Sequence, residues 1–246
     1  MTNPLGIYSM DNVDCAICGN TGNIAWIDEN GVLKSKECEC MAKRRSIKRI
    51  KNSGMEDMME RYTFDNYLEV DKVRKLIKMR AMDYIKAEKC WMYVCGRSGS
   101  GKTHICTAVC KAFIDDGVEV YYMNWRDESV IIKASVNDSE AYDAKMKKLK
   151  TVDVLYIDDF LKAGSTAADV KLAFEILNAR YNSRLRTVIS SEITLEGLFE
   201  IDEAIAGRIY ELSARPRFLI STPDINWRRE QIKEKVTVRD GKEARG

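Results

Sequence analysis

The chain has 246 residues, with 40 lysines and arginines against 38 aspartates and glutamates. A hydrophobic content of 45% with 32% charged residues is that of a globular protein, and three prolines and 14 glycines exclude collagen-like or proline-rich architecture. The net charge of +2 requires any nucleic-acid surface to be local. No apolar run approaches the ~20 residues that span a bilayer, and the N-terminus lacks a signal-peptide core. A cytoplasmic protein without a membrane partner is expected.

Residues 1–54 are expected to form a small N-terminal region. Cys15-x₂-Cys18 and Cys38-x-Cys40 supply four thiolates in two chelating pairs, the donor set of a closed structural Zn²⁺ site. Four unligated thiols is the competing reading. Between the pairs, Asn23–Asp28 and Val32-Leu33 flank Asn30-Gly31, the signal of a hairpin. So few large apolar side chains cannot build a core, so metal would supply the missing stability. Residues 41–53 then predict a helix carrying Lys43, Arg44, Arg45, Lys48, Arg49 and Lys51, stopped by Gly54. A second basic cluster comprises Lys145, Lys147, Lys148 and Lys150. Either could follow a single-stranded phosphate backbone, and either could be a solvated helix face.

Residues 55–232 are expected to form the main domain. An amphipathic helix is predicted over Val73–Ile85, with Leu76, Ile77, Met79, Met82 and Ile85 at helical spacing. From residue 91 strands and helices alternate. Strands are predicted at Trp91–Cys95, Val118–Met123, Val152–Ile157 and Thr187–Ser191. Helices are predicted over Lys102–Asp115, 139–149, Ala167–Leu185, Leu195–Glu200 and Glu203–Leu212. Continuous apolar strands between helices indicate a parallel α/β sheet covered on both faces. Cys90, Cys95, Cys106 and Cys110 fall among apolar residues and read as core thiols. The charged tail 233–246 is expected to be disordered.

Gly96-Arg97-Ser98-Gly99-Ser100-Gly101-Lys102-Thr103 matches the phosphate-loop pattern at every fixed position, between a predicted strand and a predicted helix. Its glycines let successive amides point at phosphate oxygens. Lys102 would reach the β- and γ-phosphates of ATP, and the Thr103 hydroxyl would ligate Mg²⁺. His104 follows on the same helix; it is counted with the loop among the nucleotide-binding residues and reads as structural rather than catalytic. Val154–Ile157 then leads into Asp158 and Asp159 at a strand end, where ligands of open α/β sheets bind. Asp158 would hold the Mg²⁺ shell and Asp159 would polarise the attacking water. Aspartate is a methylene shorter than the usual glutamate, so slow hydrolysis is expected.

Together with Asn178–Asn182, Thr187–Glu192, Asp202–Ile209 and Asn226-Trp227-Arg228, these segments resemble the DnaC/DnaI-type helicase loaders and the related IstB-type transposition ATPases of the AAA+ class. The resemblance implies an AAA+ P-loop fold that associates side by side, with Arg208 as an arginine finger reaching a neighbour's nucleotide. Arg228 would correspond to the sensor-2 arginine, with a packed Trp227 followed by solvated arginines as the equal alternative. Ser190-Ser191-Glu192 falls at the sensor-1 strand end, where many relatives read Thr-Ser-Asn; glutamate replaces the asparagine, and Ser191 is the candidate sensor. Tyr62, Phe64 and Tyr67 precede the core, where a similar Tyr-x-Phe stretch in relatives lies near the nucleotide base; ordinary packing is the default reading. The implied function is ATP-controlled loading of a DnaB-type replicative helicase onto single-stranded DNA, with the cysteine-bearing region gripping the helicase. An IstB-like ATPase assisting a transposase and a nucleotide-gated adaptor that barely hydrolyses ATP are the alternatives.

Overall fold

The computed structural model describes residues 13–52, 56–162, 164–213 and 217–224. The tail 233–246, Gly54 and Arg228 lie outside the described residues. Strands β1 (Asn23–Ile27) and β2 (Leu33–Glu37) pair antiparallel, with Ile27 opposite Leu33. The Asp28 carboxylate closes the turn by accepting from the Asn30 and Val32 amides at 3.0 Å, and Gly31 takes φ +75°. Nine of the ten strand residues are exposed, so the hairpin has no core of its own.

Helix α1 (Cys40–Asn52) follows and joins the larger body. Its Ile50 is buried in the main core, and Ser46 Oγ accepts from the Val120 amide at 2.8 Å. Helices α2 (Glu56–Arg61) and α3 (Lys72–Lys86) precede the sheet. The chain then runs β3 (Trp91–Cys95), α4 (Lys102–Asp115), β4 (Val120–Asn124), α5 (Trp125–Ala134), a short 3₁₀ turn, α6 (Ser139–Thr151) and β5 (Val154–Asp158). It continues through α7 (Ala167–Asn182), β6 (Arg186–Ser191), α8 (Leu195–Ile201), α9 (Glu203–Leu212) and β7 (Leu219–Ser221). Sheet order is β4-β5-β6-β3-β7, and every neighbouring pair is parallel.

Alternation within β3 divides the interior. Trp91, Tyr93 and Cys95 face the layer that contains Leu172, Ile176 and Ile205. Met92 and Val94 face Ile105, Val109, Phe113 and Tyr84 on the other side. Burial on both faces explains why these strands read as continuous apolar runs.

Two features differ from the sequence expectation. Helix α3 buries Arg74, Ile77, Ala81 and Tyr84, leaving Leu76, Met79 and Met82 exposed. Tyr84 decides this orientation: its hydroxyl donates to the Cys90 and Thr187 carbonyls at 3.2 Å, and its ring packs edge-on against Phe113 and Phe218. Helix α5 was not anticipated; Asn124 caps it, with Oδ1 accepting from the Arg126 and Asp127 amides at 3.1 and 3.4 Å. No helix among the described residues is long and apolar enough to cross a membrane.

Candidate nucleotide site and cysteine cluster

Strand β3 delivers the chain into a loop whose glycines at 96, 99 and 101 have φ of +145°, +77° and +98°, values that side-chain-bearing residues rarely adopt. Gly96 is also required by space, since a Cβ there would lie 2.0 Å from Thr222 Oγ1. Thr222 follows β7 and braces the loop: its amide donates to the Cys95 carbonyl at 2.8 Å, and its hydroxyl lies 2.6 Å from Ser100 Oγ. Gly101 provides no side chain to cap α4, so the first-turn amides of that helix face the loop.

Lys102 is buried and its ammonium donates to the Gly96 and Arg97 carbonyls at 2.8 and 2.9 Å. Burial lowers its pKa from the ordinary lysine value, while Glu192, Asp159 and Asp158 act in the opposite sense. Thr103 is partly buried in the next position.

Asp158 ends β5 at the same edge of the sheet. Its carboxylate accepts from the Tyr156 hydroxyl at 2.8 Å, from the Tyr122 hydroxyl at 3.3 Å and from the Ser190 hydroxyl. A carboxylate and a threonine hydroxyl beside a phosphate loop are the hard oxygen donors that suit Mg²⁺. Asp159 adopts φ +56°, and its amide donates to Ser190 Oγ at 3.1 Å. Its carboxylate lies 3.3 Å from Lys162 Nζ, which is 3.8 Å from Glu192. The Ser191 hydroxyl donates to the Phe160 carbonyl at 2.7 Å and accepts from the Ile193 amide at 3.0 Å. It therefore ties the ends of β5 and β6 together, and Ser190 is the serine that meets Asp158.

A cavity of about 230 Å³ opens beside Ser100 and Gly101, lined by Tyr62, Tyr67, Leu68, Arg74 and His104 among others. His104 stacks on Tyr62 at 4.9 Å between ring centres and meets Tyr67 edge-on at 5.2 Å. Burial lowers the His104 pKa, against the hydrogen bond at 3.0 Å to the Thr63 carbonyl. The result is a neutral aromatic wall next to the phosphate loop, a surface on which a flat base can stack.

Arg208 sits on α9, where Nε and Nη2 donate to Asn178 Oδ1 at 3.2 and 2.8 Å. Nη1 donates to the Ala204 carbonyl at 2.8 Å, and the guanidinium lies over the Phe174 ring at 4.8 Å. These contacts are all with α7 and α9. The basic stretches are extensively paired within the chain. In α1, Arg45 meets Glu37 at 2.5 Å, Arg49 meets Glu119 and Lys51 meets Glu56 at 2.8 Å. In α6, Lys145, Lys148 and Lys150 meet Glu128, Glu119 and Glu175 at 2.6, 2.6 and 2.7 Å. Much of each cluster's charge is thus neutralised locally.

The second assembly is the cysteine cluster. The Sγ atoms of Cys15, Cys18, Cys38 and Cys40 all lie within 4.8 Å of one another, with Cys15–Cys38 at 3.7 Å and Cys18–Cys40 at 3.6 Å. Tetrahedral zinc with Zn–S bonds of about 2.3 Å places its sulfurs about 3.8 Å apart. Donor set and spacing both fit. The first knuckle turns through Gly19 and Asn20 at φ +55° and +71°, and Asn20 Oδ1 accepts from the Cys15 amide at 2.8 Å. Against the desolvation of the site, hydrogen bonds from the Gly22 amide and neighbouring thiols bring Cys18 down to about 6, whereas desolvation sends Cys40 up to about 12. The other four cysteines behave as expected for packing: Cys95, Cys106 and Cys110 are buried and Cys90 is partly so.

This arrangement of loop, strand order and flanking helices matches known proteins. A family model described as IstB-like ATP binding protein covers residues 18–209. The chain belongs to that family. It is 29% identical over 214 residues to the phage-like element PBSX protein XkdC of Bacillus subtilis, covering 81% of this chain and 79% of that protein. It is 25% identical over 182 residues to the replicative helicase loader DnaC of Buchnera aphidicola, covering 71% and 74%. Its fold is similar to the crystal structure of the DnaC helicase loader, with a TM-score of 0.61 and 17% identity over 67% of this chain and 98% of that one. The fold is accordingly the AAA+ P-loop fold, and membership of an ATP-binding family agrees with the loop built around Gly96–Thr103.

Four residues at the site carry no sequence signal of their own, Tyr122 on Asp158 among them. Thr222 and Lys162 carry no motif, and Tyr156 reads as one more apolar strand residue until its hydroxyl is seen on Asp158.

Proposed function

We propose that the protein is an ATP-dependent loader of a hexameric, DnaB-type replicative helicase onto single-stranded DNA, with nucleotide binding and hydrolysis controlling helicase release. The observation that carries the reading is the physical link between its two sites. Helix α1 leaves Cys40 of the thiol cluster, and its Ser46 and Ile50 pack into the body whose α4 starts at the phosphate loop. The likeness to a DnaC helicase loader in sequence and fold supports the same assignment.

In this reading Gly96–Thr103 cradles the triphosphate, Lys102 turns from its loop carbonyls to the β- and γ-phosphates, and Tyr62, Tyr67 and His104 border the base. Thr103 and Asp158 would hold Mg²⁺, whose positive charge would screen the phosphate oxygens. Asp159 faces the lytic water. Arg208, presented by α7 and α9, reaches a neighbouring subunit's nucleotide, where a guanidinium spreads transition-state charge. Cys15, Cys18, Cys38 and Cys40 would hold Zn²⁺, which would fix the hairpin so that its exposed Trp26, Ile27 and Leu33 face the helicase.

Capture from the native host with ATP present tests the reading. Recovery of a replicative helicase that is released on hydrolysis supports it. Recovery of a transposase instead favours the IstB-like role, a reading that the family match keeps in view.

A further inference from the structure

We propose that Glu192 is a catalytic residue, the carboxylate that orients the attacking water and takes its proton. The proposal rests on the ATP-hydrolysis reading above and deepens it. Three strand ends meet at the site in register. Cys95 pairs with Ser191, so Glu192 stands level with Gly96, whose amide donates to the Ser191 carbonyl at 3.2 Å. Ile157 pairs with Ile189, so Asp158 and Asp159 stand level with Ser190 and Ser191. Glu192 thus follows directly on the end of β6, the strand between the phosphate-loop strand and the strand of the acidic pair, with its side chain about a third exposed.

Asp159 alone is poorly suited to the task. Its backbone is held at φ +56°, its side chain is short, and its carboxylate is engaged by Lys162 at 3.3 Å. Glu192 has one more methylene and is more loosely held by the same ammonium, at 3.8 Å. Lys162 lies between the two carboxylates and offsets their mutual repulsion, so both can remain near a triphosphate. The reach missing on β5 is restored on β6. An amide at this position could only hydrogen-bond a phosphate oxygen or water; a carboxylate can also accept a proton.

The step balances as water oxygen bonding to the γ-phosphorus while the γ-phosphorus–oxygen bond to the β-phosphate breaks. The electron pair leaves with ADP. The water proton passes to Glu192 and then to solvent.

The test uses full-length protein, with MgATP binding followed by calorimetry and turnover by phosphate release. Glu192→Gln and Glu192→Asn are each expected to lower turnover ~100-fold, the scale of a lost general base, while the ATP dissociation constant changes less than about twofold. Asp159→Asn is expected to cost less. Turnover at or above the wild-type rate in either Glu192 amide variant overturns the proposal, because the position would then act as an ordinary amide sensor. Loss of ATP binding in both also overturns it, assigning Glu192 to binding. If wild-type protein binds ATP but hydrolyses no faster than Lys102→Ala, the hydrolytic reading fails and takes this proposal with it. That outcome is recognised in the wild type before any Glu192 variant is measured.

Discussion

Strands of the same length serve opposite ends in the two halves of this chain. In β1 and β2 nearly every residue is exposed, whereas in β3 and β5 every residue is buried. The sheet holds through apolar side chains packed on two faces; the hairpin has no such face, only the four sulfurs gathered at its base. The sheet is stabilised by area removed from water, whereas the hairpin would draw its stability from a few strong, chemically specific bonds to a metal. Each region is therefore vulnerable to a different perturbation, and α1 is where the two vulnerabilities meet.

The largest effect should come from the metal. A strong chelator, or Cys38→Ser, is expected to abolish the hairpin's ordered amide signals, since apparent zinc binding in small modules is worth about 10–16 kcal/mol. The melting of the sheet should survive. An ordered hairpin in metal-free protein would break the contrast, and metal analysis should find about one zinc per chain.

The converse perturbation is Arg180→Met in α7. Arg180 is fully buried and donates to the carbonyls of Leu149, Val152 and Arg186 and to Thr187 Oγ1. Burial pushes its pKa down to about 9. Losing the guanidinium leaves those acceptors unpaired, and denaturant unfolding should report a loss of about 3–5 kcal/mol from the sheet. The zinc content should be unchanged.

The smallest effect measures the joint. Arg49 of α1 pairs with Glu119, which Lys148 of α6 also holds at 2.6 Å. A double-mutant cycle on Arg49→Ala and Glu119→Ala should give a coupling of about 1 kcal/mol or less, because both side chains are partly solvated. Burial raises the Glu119 pKa, but Lys148 and Arg49 more than reverse this and leave it below the ordinary carboxylate value. The coupling should therefore be present above the unfolded value and fade as pH falls through the lowered folded one. Coupling that persists at acid pH would mean that packing at Ile50, rather than charge, joins the halves.

The fold was legible where burial has one simple cause. Strands β3 and β5 were evident because both faces are covered, and the hairpin because Gly31 marks its turn. Helix α5 carries only weak sequence signals, its Asn124 cap and the acidic first turn of Asp127 and Glu128. In helix α3 the apolar spacing holds for Ile77 and Ile85, which pack on the core, but Leu76, Met79 and Met82 stay exposed, because Tyr84 reaches two carbonyls across the core and sets the helix orientation. At the site, Asp158 could be placed from its strand, but the three hydroxyls that hold it could not. The basic stretches suggested open cationic faces, yet acidic residues distant in sequence meet many of those charges.

From the sequence alone came the phosphate loop, the acidic strand end and the four-thiol set. Each of these works through residues close along the chain, where backbone curl and chelate spacing are local properties. Only the tertiary structure decided that Thr222 braces the loop, that Lys162 stands between Asp159 and Glu192, and that α1 joins the two sites. Those contacts arise because parallel pairing sets the ends of distant strands side by side, and no local spacing encodes that register.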